Sequence, residues 1–342
     1  MPENDIKVRK SDHIRINLEN NVNSSISNGL ENYRFVHNAL PELSLEEIDI
    51  SQKIFNKKVA IPLLISSMTG GTDQALEINQ TLAVAAEKFG LAMGVGSQRA
   101  AIEDPTLSRT FKIRDLAPNI LLFANLGAVQ LNYGYGLEEC KKAVEMIEAD
   151  GLFLHVNPLQ EAVQPEGDIN FSGLLKKIEK ICKSLPVPVV VKEVGWGISA
   201  DVAKKLIDVG VSGIDVSGAG GTSWSQVERF RLTDEFDIQV AEAFIDWGIP
   251  TADALIDVRK EIPAIPVFAS GGLKNGMEIS KVLALGANLA GMAGVFLKAA
   301  VISYDHLINT ISAIQRIIKI SLFVTGSKNL GSFSSNKIFK YR

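Results

Sequence analysis

Gly151-Leu152-Phe153-Leu154-His155-Val156-Asn157-Pro158-Leu159-Gln160-Glu161 is an apolar run that turns abruptly polar. Its first four residues have the character of a strand buried on both faces, as in a parallel sheet, and Pro158, which has no N–H to give a ladder, stops that strand. An imidazole, two amides and a carboxylate then follow within a few residues. Such a set can hydrogen-bond a phosphate and hold a hard cation in one place. A single His or Glu after a strand is ordinarily part of a solvated loop, so the stretch gains meaning only from its surroundings.

Seven other runs have the same form. Residues 62–66 open into Ser67-Met68-Thr69-Gly70-Gly71, residues 91–95 into Gly96-Ser97-Gln98-Arg99, and residues 120–124 into Asn125-Leu126-Gly127. Beyond the central stretch, 189–191 lead into Lys192-Glu193-Val194-Gly195-Trp196-Gly197, 214–216 into Ser217-Gly218-Ala219-Gly220-Gly221-Thr222, 267–269 into Ser270-Gly271-Gly272, and 289–292 into Ala293-Gly294. The intervening segments 73–89, 138–149, 199–209 and 276–285 carry apolar residues at helical spacing and commonly end near a glycine.

Eight alternations predict a (β/α)8 barrel, an α/β fold; a doubly wound open sheet, the rival, would not require eight regular units. The strand ends at Ser67, Ser97, Asn125 and Asn157 recur about every 30 residues, room for one strand and one helix. From Ser217 to Ser270 the interval nearly doubles, which predicts an insertion after the sixth strand over about 223–249. Residues 1–60 then form an N-terminal extension, 61–330 the barrel, and 331–342 a C-terminal tail whose lack of pattern predicts disorder or a shifted end. Within the extension, Arg9-Lys10-Ser11-Asp12-His13 places three potential cations ahead of an expected short helix. Such a cluster near a terminus is usually solvated and needs outside support before it counts as an anion site.

Of the 342 residues, 46% are hydrophobic and 22% charged, values of a globular enzyme with a sizeable core. A net charge of −4 supplies no concentrated basic face for nucleic acid. Cys140 and Cys182 are too few for a disulfide framework and lack metal-ligand spacing, which suits a reducing cytoplasm. No apolar segment follows the basic residues near the N-terminus, so no signal peptide is expected. The longest apolar stretch, 289–297, stops at Lys298, short of the ~20 residues that a membrane span needs.

In a barrel, active sites are assembled at the C-terminal face from the loops that follow the strands. His155, Asn157, Gln160, Glu161, Ser97, Arg99, Asn125 and Lys192 would therefore converge on one mouth. Gly271-Gly272, Ala293-Gly294 and Gly220-Gly221-Thr222 would ring it with small residues whose N–H groups can approach a phosphate, pointing to a phosphorylated cofactor. Lys192 has two readings: a Schiff-base lysine, or a positive charge beside a cofactor ring that becomes anionic on reduction. With no second lysine or paired acid on a neighbouring strand end, the charge role is favoured.

Six ordered motifs, at 9–13, 37–43, 66–71, 96–99, 155–161 and 192–197, resemble type 2 isopentenyl diphosphate isomerase, the flavin-dependent form, over residues 9 to about 330. The resemblance implies an FMN-containing barrel that interconverts isopentenyl and dimethylallyl diphosphate, with Mg2+, and with NADPH or NADH keeping the flavin reduced. Carried over by position, it implies FMN contacts at Ser67, Met68, Thr69, Ser97, Asn125, Lys192, Ser217 and Thr222, with the phosphate on Gly271, Gly272, Ala293 and Gly294. It also implies a diphosphate against Arg9, Lys10, Ser97, Gln98, Arg99, His155 and Asn157, with His13 close by. Gln160 would approach the reacting carbons, His155 would share the catalytic neighbourhood, and Glu161 would hold Mg2+.

Moving a double bond adds one proton and removes another, and side chains able to do this are scarce in the motifs. The resemblance supplies the flavin itself as acid and base. It further implies a homotetramer or larger assembly. The rivals are an FMN-dependent 2-hydroxy acid oxidase or dehydrogenase, which would need a His base and arginines for a carboxylate, and a flavin-binding protein without catalysis.

Overall fold

The protein is described from a computed structural model, which covers residues 3–341. Eight parallel strands close into a barrel: β1 (Leu63–Ile65), β2 (Ala92–Gly94), β3 (Leu121–Gly127), β4 (Gly151–His155), β5 (Val189–Lys192), β6 (Gly213–Asp215), β7 (Val267–Ala269) and β8 (Leu289–Met292). Each pairs with the next, and β8 returns to β1 through Ala290 beside Leu63, so the fold is the (β/α)8 barrel that the alternation predicted. Every residue of β1, β2 and β3 is buried, which explains why these strands read as unbroken apolar runs.

Two cores follow from this arrangement. Leu64, Ala92, Phe123, Phe153, Val190 and Phe268 fill the barrel interior, where the Phe123 and Phe153 rings stack at 4.3 Å. A hairpin of Gln52–Ile54 and Lys57–Val59 plugs the floor with Ile54, Phe55 and Val59. The larger core lies between strands and helices. Helix Asp73–Phe89 is representative: Thr72 caps it by accepting from the Ala75 N–H, Gly90 ends it at φ 61°, and Ala75, Ile78, Leu82 and Ala86 form its buried stripe.

The N-terminal extension differs from expectation. Arg9 to His13 do not precede a short helix; they lie within a 17-residue helix, Glu3–Glu19. After it the chain crosses the barrel mouth, where the Ser24 N–H donates to Gly221 O at 2.8 Å and the Asn28 side chain to Gly272 O at 2.8 Å. The insertion after β6 carries helices Trp224–Arg229 and Glu235–Glu242 and covers the same side of the mouth.

The tail also differs from expectation. Strand Ile338–Lys340 pairs antiparallel with Tyr33–Phe35 in the extension, and Phe333 is buried against the core with its ring stacked 5.4 Å from Phe35. Residues near the C-terminus are therefore ordered by the extension, and the two terminal segments form one unit.

Candidate active site

The carboxyl ends of the strands open into a cavity of about 490 Å³, within the roughly 300–1,000 Å³ of small-molecule sites. It is walled by the strand-end residues together with Arg9, Lys10, His13, Ile14 and Asn17, which share one face of the N-terminal helix. All the site residues expected from the sequence border this cavity except Gln98.

One side is cationic. Lys10 Nζ donates to Ser97 O at 3.4 Å, and burial, with Arg9 and Arg99 nearby, brings its pKa down to about 8. Arg99 is held from two directions, by Glu103 Oε1 at 2.9 Å and Asp168 Oδ2 at 2.7 Å. Burial lowers the Arg9 pKa as well, so three cationic side chains share a partly desolvated space suited to a polyanion.

The central stretch forms the adjoining wall. Strand β4 ends at His155, and Pro158 occupies the first turn of helix Pro158–Val163, where its missing N–H costs nothing. That short helix carries Gln160 and Glu161 on a buried face. Asn157 Nδ2 donates to Gln160 Oε1 at 3.1 Å and to Glu161 Oε1 at 2.9 Å, while Glu161 Oε2 accepts from the Asp168 N–H at 2.7 Å. Burial raises the Glu161 pKa against these two donors. His155 Nδ1 lies 2.8 Å from Asn125 Oδ1, and burial beside Lys192 and Lys10 pushes its pKa down to about 3, so the imidazole is neutral.

Glu228, which carries no motif signal, is the fully buried anchor of this wall. Its Oε1 accepts from Gln160 Nε2 at 2.9 Å and meets His13 Nε2 at 3.1 Å, while Oε2 pairs with Arg231 Nη1 at 2.5 Å. Burial alone would raise its carboxyl, but His13, Gln160 and Arg231 together bring it down to about 2. The His13 ring also meets Trp224 edge-on at 5.0 Å, giving the cavity an aromatic side.

The opposite side fits a flavin phosphate and ring. Ser67 Oγ and Thr69 Oγ1 are buried without a hydrogen-bond partner among the described residues. Gly271 and Gly272 adopt φ of 104° and 70°, and a Cβ on either would run into the neighbouring loop at Gly218 or Gly220. Gly294, by contrast, faces open space, and the helix it starts, Gly294–Ile302, has no side-chain cap, so its first N–H groups border the cavity without a side-chain acceptor. Lys192 is buried, its pKa lowered by burial against Asp215 and Glu193, and its Nζ donates to Glu193 O at 2.6 Å. For a hard cation the donors are fewer: Asn157 Oδ1 is buried without a partner beside the Glu161 carboxylate, and among the described residues no group of three or more His, Cys, Asp or Glu is placed to hold a metal ion. Such a set suits Mg2+, which keeps several waters and leans on substrate phosphates.

Gln98 requires correction. It is fully buried behind the wall, where Oε1 accepts from the Asn125 N–H at 2.9 Å and Nε2 donates to Ala143 O at 2.8 Å. It supports Asn125 and does not border the cavity. The motif at 37–43 also lies away from the cavity; Asn38 N–H donates to Val324 O at 2.8 Å. Glu228, Gln130 and Trp224 border or brace the cavity without having been legible, since none sits at a strand end.

A family model described as FMN-dependent dehydrogenase matches residues 155–340. Among curated proteins, the chain is 54% identical over 323 residues to the isopentenyl-diphosphate delta-isomerase of Nostoc sp., covering 94% of this chain and 92% of that one. It is 49% identical over 334 residues to the protein of the same name in Rickettsia bellii, covering 98% and 97%. Among solved structures, a flavocytochrome b2 matches with a TM-score of 0.68 at 20% identity, over 96% of this chain and 78% of that one. An (S)-mandelate dehydrogenase matches with a TM-score of 0.68 at 16% identity, over 99% and 98%. These structural likenesses speak for the fold alone.

Proposed function

The chain belongs to the FMN-dependent isopentenyl-diphosphate delta-isomerase family, and we propose that it moves the double bond of its diphosphate substrate at the cavity described above, with each side of that cavity holding a different anion. One observation carries the assignment of parts. The Arg9, Lys10 and Arg99 side chains and the uncapped start of helix Gly294–Ile302 open into the same cavity. The glycine-lined side would take the FMN phosphate, and the cationic side the substrate diphosphate.

Held there in reduced form, FMN would supply acid–base chemistry for adding one proton to the alkene and removing another, and an electron-rich ring beside developing positive charge. Everything else falls to the chain. Ser67, Met68, Thr69, Ser97, Asn125, Ser217 and Thr222 line the ring side, and Lys192 places a positive charge where a reduced, anionic ring is favoured. Arg9, Lys10 and Arg99 bind the diphosphate, with His13, Ser97, His155 and Asn157 around it. His155 enters as a neutral ring with its Nδ1–H given to Asn125, so its Nε2 is an acceptor. Glu161 and Asn157 Oδ1 would hold Mg2+ against the diphosphate.

Gln160 is fixed between Asn157 and Glu228, which orients its amide toward the reacting carbons without giving it a proton to move. Glu228 stays ionised at neutral pH and so braces that wall without acting as its acid. The N-terminal helix closes over the charged end and limits water there. Trp224 and Met68 offer apolar surface to the hydrocarbon part.

NADPH serves as the reductant in this reading, without net consumption per turnover. The free cysteines Cys140 and Cys182 support a cytoplasmic location. Exposed Phe236 and Trp247 on the insertion, at 70% and 59% exposure, offer apolar surface for self-association, and the homo-oligomer of four or more chains itself rests on the family resemblance. No helix among the described residues is long and apolar enough to cross a membrane.

The deciding experiment is an anaerobic assay of purified protein with isopentenyl diphosphate, Mg2+ and FMN, started by dithionite or NADPH. Isomerisation without stoichiometric loss of reductant is expected. Absence of isomerisation, with reduction of the bound oxidised flavin by an added 2-hydroxy acid, would instead favour the 2-hydroxy acid redox rival.

A further inference from the structure

We infer that Asp168 is a positioning residue that sets Arg99 and Glu161 at a fixed spacing for one diphosphate. Its carboxylate Oδ2 accepts from Arg99 Nη1 at 2.7 Å and from Gln130 Nε2 at 2.8 Å, while its own backbone N–H donates to Glu161 Oε2 at 2.7 Å. The residue that aims the guanidinium is therefore also the residue that aims the carboxylate. Asp168 does not border the cavity, so it acts only through others. Its neighbour explains how the loop reaches this place: a Cβ on Gly167 would run into the Glu161 carbonyl, so only glycine lets the chain lie against that short helix.

Charge opposes this arrangement and makes the inference sharp. A carboxylate beside an anion site repels the anion, and removing it should tighten diphosphate binding if charge were its only effect. Against that stands preorganisation. A guanidinium has five N–H donors, and two are spent on Glu103 and Asp168, which holds the others in place before the ligand arrives. The inference is that positioning outweighs repulsion. It rests on the placement of the diphosphate at Arg99 proposed above.

The test compares FMN-loaded wild-type protein with Asp168→Ala, Asp168→Asn and Arg99→Ala, titrating inorganic pyrophosphate by calorimetry without and then with Mg2+. Flavin absorbance reports whether the fold and the distant phosphate loops are intact. For Asp168→Ala, pyrophosphate affinity should fall about tenfold or more, with a matching rise in KM for isopentenyl diphosphate and a smaller change in kcat. Asp168→Asn should fall between, because one oxygen can still accept from Arg99. Unchanged or tighter binding in Asp168→Ala would overturn the inference. Should Asp168→Ala lose its flavin, Asp168→Asn decides alone, with weaker binding in support and equal or tighter binding against. If Arg99→Ala binds pyrophosphate as the wild type does, the placement of the diphosphate is what has failed, and the inference goes with it.

Discussion

Asn125 Oδ1 lies 2.8 Å from His155 Nδ1, and the amide cannot turn over, because its Nδ2 donates to Val95 O at 3.0 Å. An oxygen facing Nδ1 requires that nitrogen to carry the proton, so one amide sets the tautomer of the ring. Gln98 completes the chain by accepting the Asn125 backbone N–H. A residue expected at the substrate thus lies behind the cavity wall, with Asn125 between it and His155.

The first prediction follows from the His155 ring. Its pKa in the folded protein is about 3, against about 6.5 for an unfolded chain, so protons bind the unfolded state more readily. For a base whose pKa is depressed by folding, stability is full above the unfolded value and is lost as pH falls from about 6.5 toward 3. Wild-type protein should lose about 1–2 kcal/mol more than His155→Gln between pH 7 and pH 5, read by chemical denaturation at each pH. Imidazole 15N shifts should show a neutral ring throughout that range. An imidazole that titrates near pH 6.5 would refute the assignment.

Glu228 supports a second prediction. Glu228→Gln keeps the shape but removes the charge that Arg231, Gln160 and His13 share, leaving a guanidinium half-satisfied in a buried place. Stability should fall by about 1–3 kcal/mol, and kcat by about tenfold as Gln160 loses its fixed orientation. Flavin content should be unchanged, because Glu228 is not among the residues that line the cavity. Wild-type kcat with wild-type stability would show that the wall does not need its charge.

Lys192 gives a third. Lys192→Met removes a buried positive charge whose neighbours are Asp215 and Glu193. An anionic reduced ring beside Lys192 would lose a stabilising cation, so the flavin midpoint potential should move negative by about 30 mV or more, which is about 1.4 kcal/mol for a two-electron couple. Spectroelectrochemical titration of the bound flavin reads this directly. A potential equal to that of the wild type would remove Lys192 from the charge role.

The barrel was legible because its strands are buried on both faces, and that burial writes itself as short apolar runs ending in polar residues; Ser67, Ser97, Asn125, Asn157 and Lys192 all border the cavity for this reason. What failed to show has equally physical causes. The helix Glu3–Glu19 is mostly polar, so its length had no apolar stripe to mark it. The segment after 330 is ordered by pairing with Tyr33–Phe35, a contact between chain ends that no local pattern encodes. Gln98 follows a strand but enters the turn of a helix, where a side chain can swing behind the wall as easily as into it. Glu228 lies in a six-residue insertion helix buried on several sides, and a carboxylate there reads like any surface acid until its three partners are in view.

Glu161 carries the last prediction. Its two oxygens are already engaged, Oε1 by the Asn157 amide and Oε2 by the Asp168 N–H, which fixes the carboxylate and leaves each oxygen further acceptor capacity. A cation placed there would also find Asn157 Oδ1, which is buried and has no partner among the described residues. Glu161→Gln retains one oxygen but loses the charge that favours a hard divalent ion. The Mg2+ concentration for half-maximal isomerase activity should rise about tenfold or more, while the flavin spectrum stays that of the wild type. Burial raises the Glu161 pKa, so Mg2+ binding should weaken as pH falls toward the value at which the carboxyl protonates, and Glu161→Gln should lack that dependence. A Mg2+ titration identical in the two proteins at every pH would remove Glu161 from the metal and leave it as a brace for the loop that carries Asp168.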